Sequence, residues 1–151
     1  GWATQSFATL ARALEADGVS VVVTGTSEDA VDVAAVTRGG EALDVAGRTS
    51  VRELGALIRK LDVYVSVDSG PAHLAAAVAT PLVVLWGPAI LEQVRPLSSR
   101  SPVTVLRHPV PCAPCYDTPL MKSCRQNVCM EGIPPSDVRV AVRACLAGAR
   151  T

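Results

Sequence analysis

Apolar and polar positions fall in alternating blocks along the chain. Over residues 5–17, Phe7, Leu10, Ala11 and Leu14 recur at the spacing of one helical face, and Asp17-Gly18 supplies a stop. Val19 to Thr24 is a short continuous apolar run, the pattern of a strand buried in a parallel sheet. It ends in the small polar residues Thr24-Gly25-Thr26-Ser27-Glu28, and a second helix is predicted over 28–37. Ala42 to Val45 reads as a weak strand, followed by Ala46-Gly47-Arg48-Thr49-Ser50. Ser50 and Glu53 have capping-box spacing, and the helix they open carries Leu54, Leu57, Ile58 and Leu61 on one face.

The central run is Val63-Tyr64-Val65-Ser66-Val67, then the polar turn Asp68-Ser69-Gly70-Pro71-Ala72-His73. An alanine-rich helix to Ala79 follows, then the apolar run Pro81 to Trp86, closed by Gly87-Pro88. Residues up to Arg100 look irregular, and Pro102 to Leu106 reads as one more strand. A last helix opens at Ile133-Pro134-Pro135-Ser136-Asp137, with Val138, Ala141, Val142 and Cys145 on one face. About five strands alternate with helices, without repeat or low-complexity tract. That predicts an α/β fold, a Rossmann-like three-layer sandwich with a parallel sheet.

Strands joined through helices are parallel, so the Asp68 turn lies at the carboxyl end of a strand and the amino end of a helix. Open α/β sheets bind ligands at that edge. The residue types suit a phosphate and a sugar. Helix-start amides have no intrahelical acceptor and carry partial positive charge. Gly70 has no Cβ to hold an anion away from them. Pro71 fits the first helical turn, where its missing N–H costs nothing. Asp68 can accept from sugar hydroxyls, Ser69 adds a hydroxyl and an amide, and His73 lies in the first turn of the helix. The competing structural reading has Asp68 or Ser69 simply capping the helix and His73 as a surface histidine.

Composition narrows the classes. A chain of 151 residues normally makes one domain. Nearly half of it is apolar, and 14 basic residues balance 14 acidic ones. A polyanion-binding surface is not indicated, and nucleic acid is not expected as a partner. No secretory signal is seen, and the apolar runs are broken by Gly, Pro or charge before a membrane-spanning length. Pro109 to Cys129 departs from the alternation: it is rich in Pro and contains Cys112, Cys115, Cys124 and Cys129. These four can be read as a thiolate zinc site, as reduced thiols packing a loop, or as disulfides formed in air. One Cys-x2-Cys pair without a second is a modest metal signal, and no metal is assigned. Cys145 is read as core. An odd total of five cysteines does not resemble a secreted disulfide framework and favours the cytoplasm. No Gly-x-Gly-x-x-Gly follows a strand, so a dinucleotide is not expected.

The run Asp68-Ser69-Gly70-Pro71-Ala72-His73-Leu74-Ala75-Ala76-Ala77, followed by Thr80-Pro81-Leu82-Val83-Val84-Leu85-Trp86-Gly87-Pro88, closely resembles the signature of glycosyltransferase family 9, the heptosyltransferase family. Trp86 takes a place more often held by Phe, and Ala79 one often held by Gly. Cys112-Ala113-Pro114-Cys115, Cys124 and Cys129-Met130 match a cysteine segment common in the family, with no catalytic role attached. The resemblance runs from Trp2 to about Leu146. It implies that residues 1–151 form a single nucleotide-sugar-binding domain, the carboxyl-terminal, donor-binding half of a GT-B enzyme. The chain begins Gly1-Trp2 without a methionine, and the basic residues the family carries before this Trp are not in it. An amino-terminal acceptor domain holding the general base is therefore expected elsewhere, and the chain alone is expected to be inactive.

By the same resemblance the reaction is an inverting sugar transfer, usually heptose from ADP-heptose to a lipopolysaccharide core. The donor-binding residues implied are Asp68, Ser69, Gly70 and His73 at one turn, with Glu28, Gly25 and Ser50 on the nucleoside side. Asp29 is the neighbour that could share the ribose role of Glu28. No cofactor is implied. The partners implied are a nucleotide-sugar donor and a glycolipid acceptor, at the inner face of the inner membrane. A nucleotide-binding or regulatory module without transfer chemistry is the alternative. A sugar-nucleotide epimerase of the same two-domain fold would need further acidic and His residues around the sugar.

Overall fold

The structure is a computed structural model and describes residues 1–148. Its backbone groups into two compact units. One comprises Ala3–Leu54; the other comprises Gly1–Trp2 with the residues from Gly55 onward.

In the Ala3–Leu54 unit, α1 (Thr4–Ala16) buries Leu10, Ala11 and Leu14, three residues of the predicted face. It packs on α2 (Ala30–Thr37), which contributes Val33 and Val36. Arg12 of α1 pairs with Glu15 at 2.7 Å and donates to the carbonyl of Arg38 at 2.8 Å, closing the end of α2 where carbonyls lack helical donors. β1 (Val22–Val23) and β2 (Leu43–Asp44) pair in parallel. Amide bonds from Leu43 to Val21, Val45 to Val23 and Gly47 to Gly25 carry the pairing past the strand ends. The run from Val19 is half-buried rather than fully buried, and only its middle forms a ladder.

In the other unit β3 (Tyr64–Val67), β4 (Leu82–Trp86) and β5 (Val103–Arg107) form a parallel sheet in the order β3-β4-β5. All five residues of the central strand β4 are buried, the result of an unbroken apolar run between two partners. Each such Val or Leu side chain contributes about 1.5–3 kcal/mol by burial. The sheet is covered by α4 (Gly70–Ala77), by α7 (Val128–Glu131) and by α8 (Pro135–Gly148). α8 buries Val138, Val142 and Cys145, as its periodicity predicts. Trp2 is 5% exposed and its indole N–H donates to the carbonyl of Ile133 at 2.9 Å, which makes it a packing residue. α3 (Val51–Ile58) crosses the boundary between the units. The alternation predicted one sheet of about five strands, but hydrogen bonds group them as two and three. Periodicity marks which residues are extended, not which neighbours they pair with.

α4 ends in a Schellman motif. Thr80 N–H donates to Ala75 at 3.0 Å and Ala79 N–H to Ala76 at 3.2 Å. Ala79 takes a φ of 61°, the left-handed region that favours glycine. The buried Thr80 hydroxyl then donates to the carbonyl of Ile58 at 2.8 Å, tying the end of α3 to the start of β4.

Candidate functional site

Asp68 follows β3 directly, and its amide still pairs with Leu85 at 3.3 Å, so the ladder sets the height of its side chain. The carboxyl is only half-buried, yet among the described residues no hydrogen bond reaches it. Desolvation holds its pKa above the ordinary carboxylate value, and the charge of the nearby His73 offsets part of that. The Asp68 oxygens are not sealed from solvent, so they are open to a ligand, and carboxyls with perturbed pKa values concentrate at functional sites.

The start of α4 is equally open. Ser69 stands at its N-cap, but its hydroxyl donates back to the Val67 carbonyl at 3.2 Å and meets the Ser66 hydroxyl at 3.1 Å. No side chain caps the helix. Among the described residues the amides of Ser69 and Gly70 have no backbone acceptor. Of Ser69, then, the amide rather than the hydroxyl is available. Gly70 has ordinary negative φ, and a Cβ built there would meet nothing within 4 Å. Neither backbone conformation nor packing inside the described chain calls for glycine here. The space above it suits close approach of a ligand. His73 is exposed in the next turn of α4.

The turn after β1 is closed. Thr26 and Asp29 form a capping box around the 3-10 turn Ser27–Asp29. The Asp29 carboxylate accepts the Thr26 amide and hydroxyl, both at 2.7 Å, and these bonds hold its pKa down. Asp29 therefore has a structural job. Thr26-x-x-Asp29 has the spacing that would have identified it. Glu28 is exposed, and among the described residues no hydrogen bond or ion pair engages it. Gly25 is needed for packing: a Cβ there would lie 2.9 Å from the Asp29 Cβ. Ser50 also has its predicted structural partner. Its amide and hydroxyl donate to Glu53 at 2.8 Å, lowering the pKa of that carboxyl. Asp68, Ser69, Gly70 and His73 thus share one turn of one unit, while Gly25, Glu28 and Ser50 belong to the other.

All five cysteines are free thiols. Burial pushes Cys115 and Cys129 up, with the neighbouring thiols of the segment adding to the effect, so they stay protonated and weakly nucleophilic. Among the described residues no three His, Cys, Asp or Glu side chains are arranged to hold a metal ion. Cys145 is buried in α8, as its helical face predicts. No described helix is long and apolar enough to cross a membrane.

The model of glycosyltransferase family 9 (heptosyltransferase) matches residues 1–124. Lipopolysaccharide heptosyltransferase 3 of Escherichia coli is 40% identical over 91 residues, covering 57% of this chain and 27% of that protein. Lipopolysaccharide heptosyltransferase 2 of Salmonella typhimurium is 33% identical over 108 residues, covering 68% of this chain and 31% of that protein. The solved E. coli ADP-heptose lps heptosyltransferase II superposes with a TM-score of 0.82 at 26% identity, over 99% of this chain and 43% of that one. The chain therefore spans about a third of the curated relatives it matches and under half of that solved structure.

Proposed function

From the premise that this chain belongs to glycosyltransferase family 9, whose GT-B fold its parallel α/β architecture shares, we propose that it is the donor-binding half of an inverting sugar transferase. The donor is a nucleoside diphosphate sugar of the ADP-heptose type, and the acceptor is a hydroxyl of a lipopolysaccharide core or related glycan. The observation that carries this reading is the Asp68 turn: an accessible carboxylate with no hydrogen bond among the described residues, beside uncapped helix-start amides and a glycine the described packing does not require.

In this reading the amides of Ser69 and Gly70 and the field of α4 receive the diphosphate and stabilise it as it leaves. Asp68 accepts hydrogen bonds from hydroxyls of the sugar, and His73 donates at the phosphate edge. Glu28 holds the ribose. Gly25 and Ser50 serve by shaping the turns on the nucleoside side. Inversion also needs a base to take the proton of the acceptor hydroxyl as the new glycosidic bond forms. No residue of this chain is assigned that role. The base and most of the acceptor surface belong to an amino-terminal half of the enzyme, and this chain by itself transfers no sugar. The working place is the cytoplasmic face of the inner membrane, where a glycolipid acceptor would be met.

Calorimetric titration with ADP, ADP-heptose, UDP-sugars and GDP-sugars tests the assignment. Selective binding of the ADP compounds is the expected result, with the affinity for ADP-heptose lowered in Asp68→Ala. Preference for UDP or GDP compounds would change the donor. Unchanged affinity in Asp68→Ala would overturn the role of the turn. Tight ADP binding with no increment for any sugar would favour the alternative of a nucleotide-binding module.

A further inference from the structure

A cavity of about 220 Å³ opens at the carboxyl ends of β4 and β5. Its walls are the segment after β4, reaching into α5 (Leu91–Val94), and the segment after β5. Ile90 and Pro114 give it apolar surface above the buried Trp86, and Glu92, Arg107 and His108 are the titratable side chains that line it. The Trp86 indole N–H is committed to the carbonyl of Ala89 at 2.9 Å, so polar recognition inside the cavity falls to those three.

Strand register places this cavity relative to the Asp68 turn. Val67 pairs with Leu85, Leu85 with Leu106, and Trp86 with Arg107. With the amide of Asp68 on Leu85, the positions Asp68, Trp86 and Arg107 stand in line across three neighbouring strands. Neighbouring strands lie about 4.8 Å apart, so the cavity starts roughly one strand spacing from Asp68. In a nucleoside diphosphate sugar, the sugar is bonded directly to the diphosphate. A diphosphate on the Ser69 and Gly70 amides would leave that sugar within reach of this cavity.

We infer that the cavity between β4 and β5 is the subsite for the transferred sugar, with Glu92, Arg107 and His108 as its specificity-determining residues. This rests on the donor reading above and adds the part of the site that distinguishes one sugar from another. The cavity is smaller than the roughly 300–1,000 Å³ of a pocket for a drug-sized ligand, so it suits one monosaccharide and not a nucleotide. The Glu92 carboxylate accepts from sugar hydroxyls, and Arg107 and His108 donate to sugar oxygens. The exposed apolar surfaces of Ile90 and Pro114 meet the C–H face of the ring, over the buried Trp86 at the cavity floor.

Gly132 supports the arrangement. A Cβ built there would overlap the imidazole of His108, so the ring lies directly over the glycine backbone. Gly132 is a positioning residue for His108.

The test is titration of the full chain with ADP and with ADP-heptose, in wild type and in Glu92→Gln, Arg107→Ala and Gly132→Ala. Glu92 and Arg107 are exposed, so their variants are expected to fold, and ADP affinity serves as the control. The expected result is ADP affinity within about twofold of wild type and ADP-heptose affinity down by about tenfold in Glu92→Gln and Arg107→Ala, the size of one lost hydrogen bond to a charged group. Gly132→Ala should reproduce the selective loss. Equal loss of ADP and ADP-heptose, or no loss of either, overturns the subsite. A wild-type chain that binds neither compound overturns the donor reading and this inference with it. ADP-heptose affinity lowered by Asp68→Asn but indifferent to the cavity variants overturns the subsite alone.

Discussion

Two strand-to-helix turns of this protein are built from nearly the same residues and finished in opposite ways. After β1, Thr26-Ser27-Glu28-Asp29 closes on itself, with the Asp29 carboxylate spent on the Thr26 amide and hydroxyl. After β3, Asp68-Ser69-Gly70 leaves its carboxylate, two amides and a glycine without partners among the described residues. The Ser50 turn follows the closed pattern. A turn that serves stability satisfies its own donors and acceptors. A turn that holds a ligand has to leave them for the ligand. The contrast is the ground for proposing Asp68 as the functional carboxylate, whereas Asp29 is structural, though both follow a strand and precede a helix.

The largest expected effect concerns Asp68. Asp68→Asn should cost donor affinity about 10- to 100-fold, the size of a hydrogen bond to a charged group, and leave the melting temperature unchanged or raised. Asp29→Asn should do the reverse, lowering the melting temperature with donor affinity intact. Paired calorimetry and thermal melts on both variants would dissolve the comparison if the two behaved alike.

The glycines sharpen it. Gly25→Ala forces a Cβ to 2.9 Å from that of Asp29 and should destabilise by about 1–3 kcal/mol. Gly70→Ala meets no protein atom and should keep or slightly raise stability while weakening donor binding. Denaturant unfolding and titration of the two variants measure both halves of this claim. If Gly70→Ala bound donor normally, the open space above residue 70 would have no ligand to explain it.

Removing the caps should cost about 1 kcal/mol each. Thr26→Ala and Ser50→Ala are expected at that level, as read by shifts in denaturation midpoint. The far end of α4 is finished like the closed turns, but with the wrong residue for its φ of 61°. Ala79→Gly should therefore stabilise the protein by up to about 1 kcal/mol, the strain relieved less the entropy glycine regains on unfolding. A destabilised Ala79→Gly variant would show that the left-handed cap is not strained.

The smallest effects are in pH dependence, and they differ in sign. Asp29 and Glu53 have lowered pKa values in the fold, so their stabilisation is present above the ordinary carboxylate range and lost as pH falls through the lowered values. Asp68 has a raised pKa, so its contribution is present below the ordinary value and lost as pH rises through the raised one. Stability curves from pH 7 downward should therefore fall less steeply in Asp29→Asn than in wild type and more steeply in Asp68→Asn.

Much of this architecture was legible in one dimension. The faces of α1, α3 and α8 follow from apolar spacing, β4 from an unbroken apolar run, and the Ser50–Glu53 box from a four-residue pattern. These are local properties, and tertiary packing adopted them. The motif around Asp68 carried the family resemblance, and with it the place of the candidate site. Other features depended on which of several nearby groups a side chain meets once the turn has folded. Glu28 and Asp29 are adjacent in sequence; the Thr26-x-x-Asp29 spacing hints at the occupied carboxylate, and the fold shows it. Ser69 reads as a cap, yet Ser66 and Val67 take its hydroxyl inward. Gly25 and Gly70 look alike as letters, but one is pressed against Asp29 and the other faces open space.

What the sequence by itself determined is the long helices and the strands, their order and the edge of the sheet proposed for chemistry, because helix and strand periodicity and turn residues act over a few positions, whereas the short α5 and α7 were not read from it. The tertiary structure alone decided which strands pair, which polar groups outside the capping boxes are satisfied, and that Trp86, Glu92, Arg107 and His108 line one cavity beside Asp68's strand. Strand pairing and cavities are relations between segments brought together by folding, and no local pattern encodes them; of the hydrogen bonds, only those inside a capping box are local enough to read.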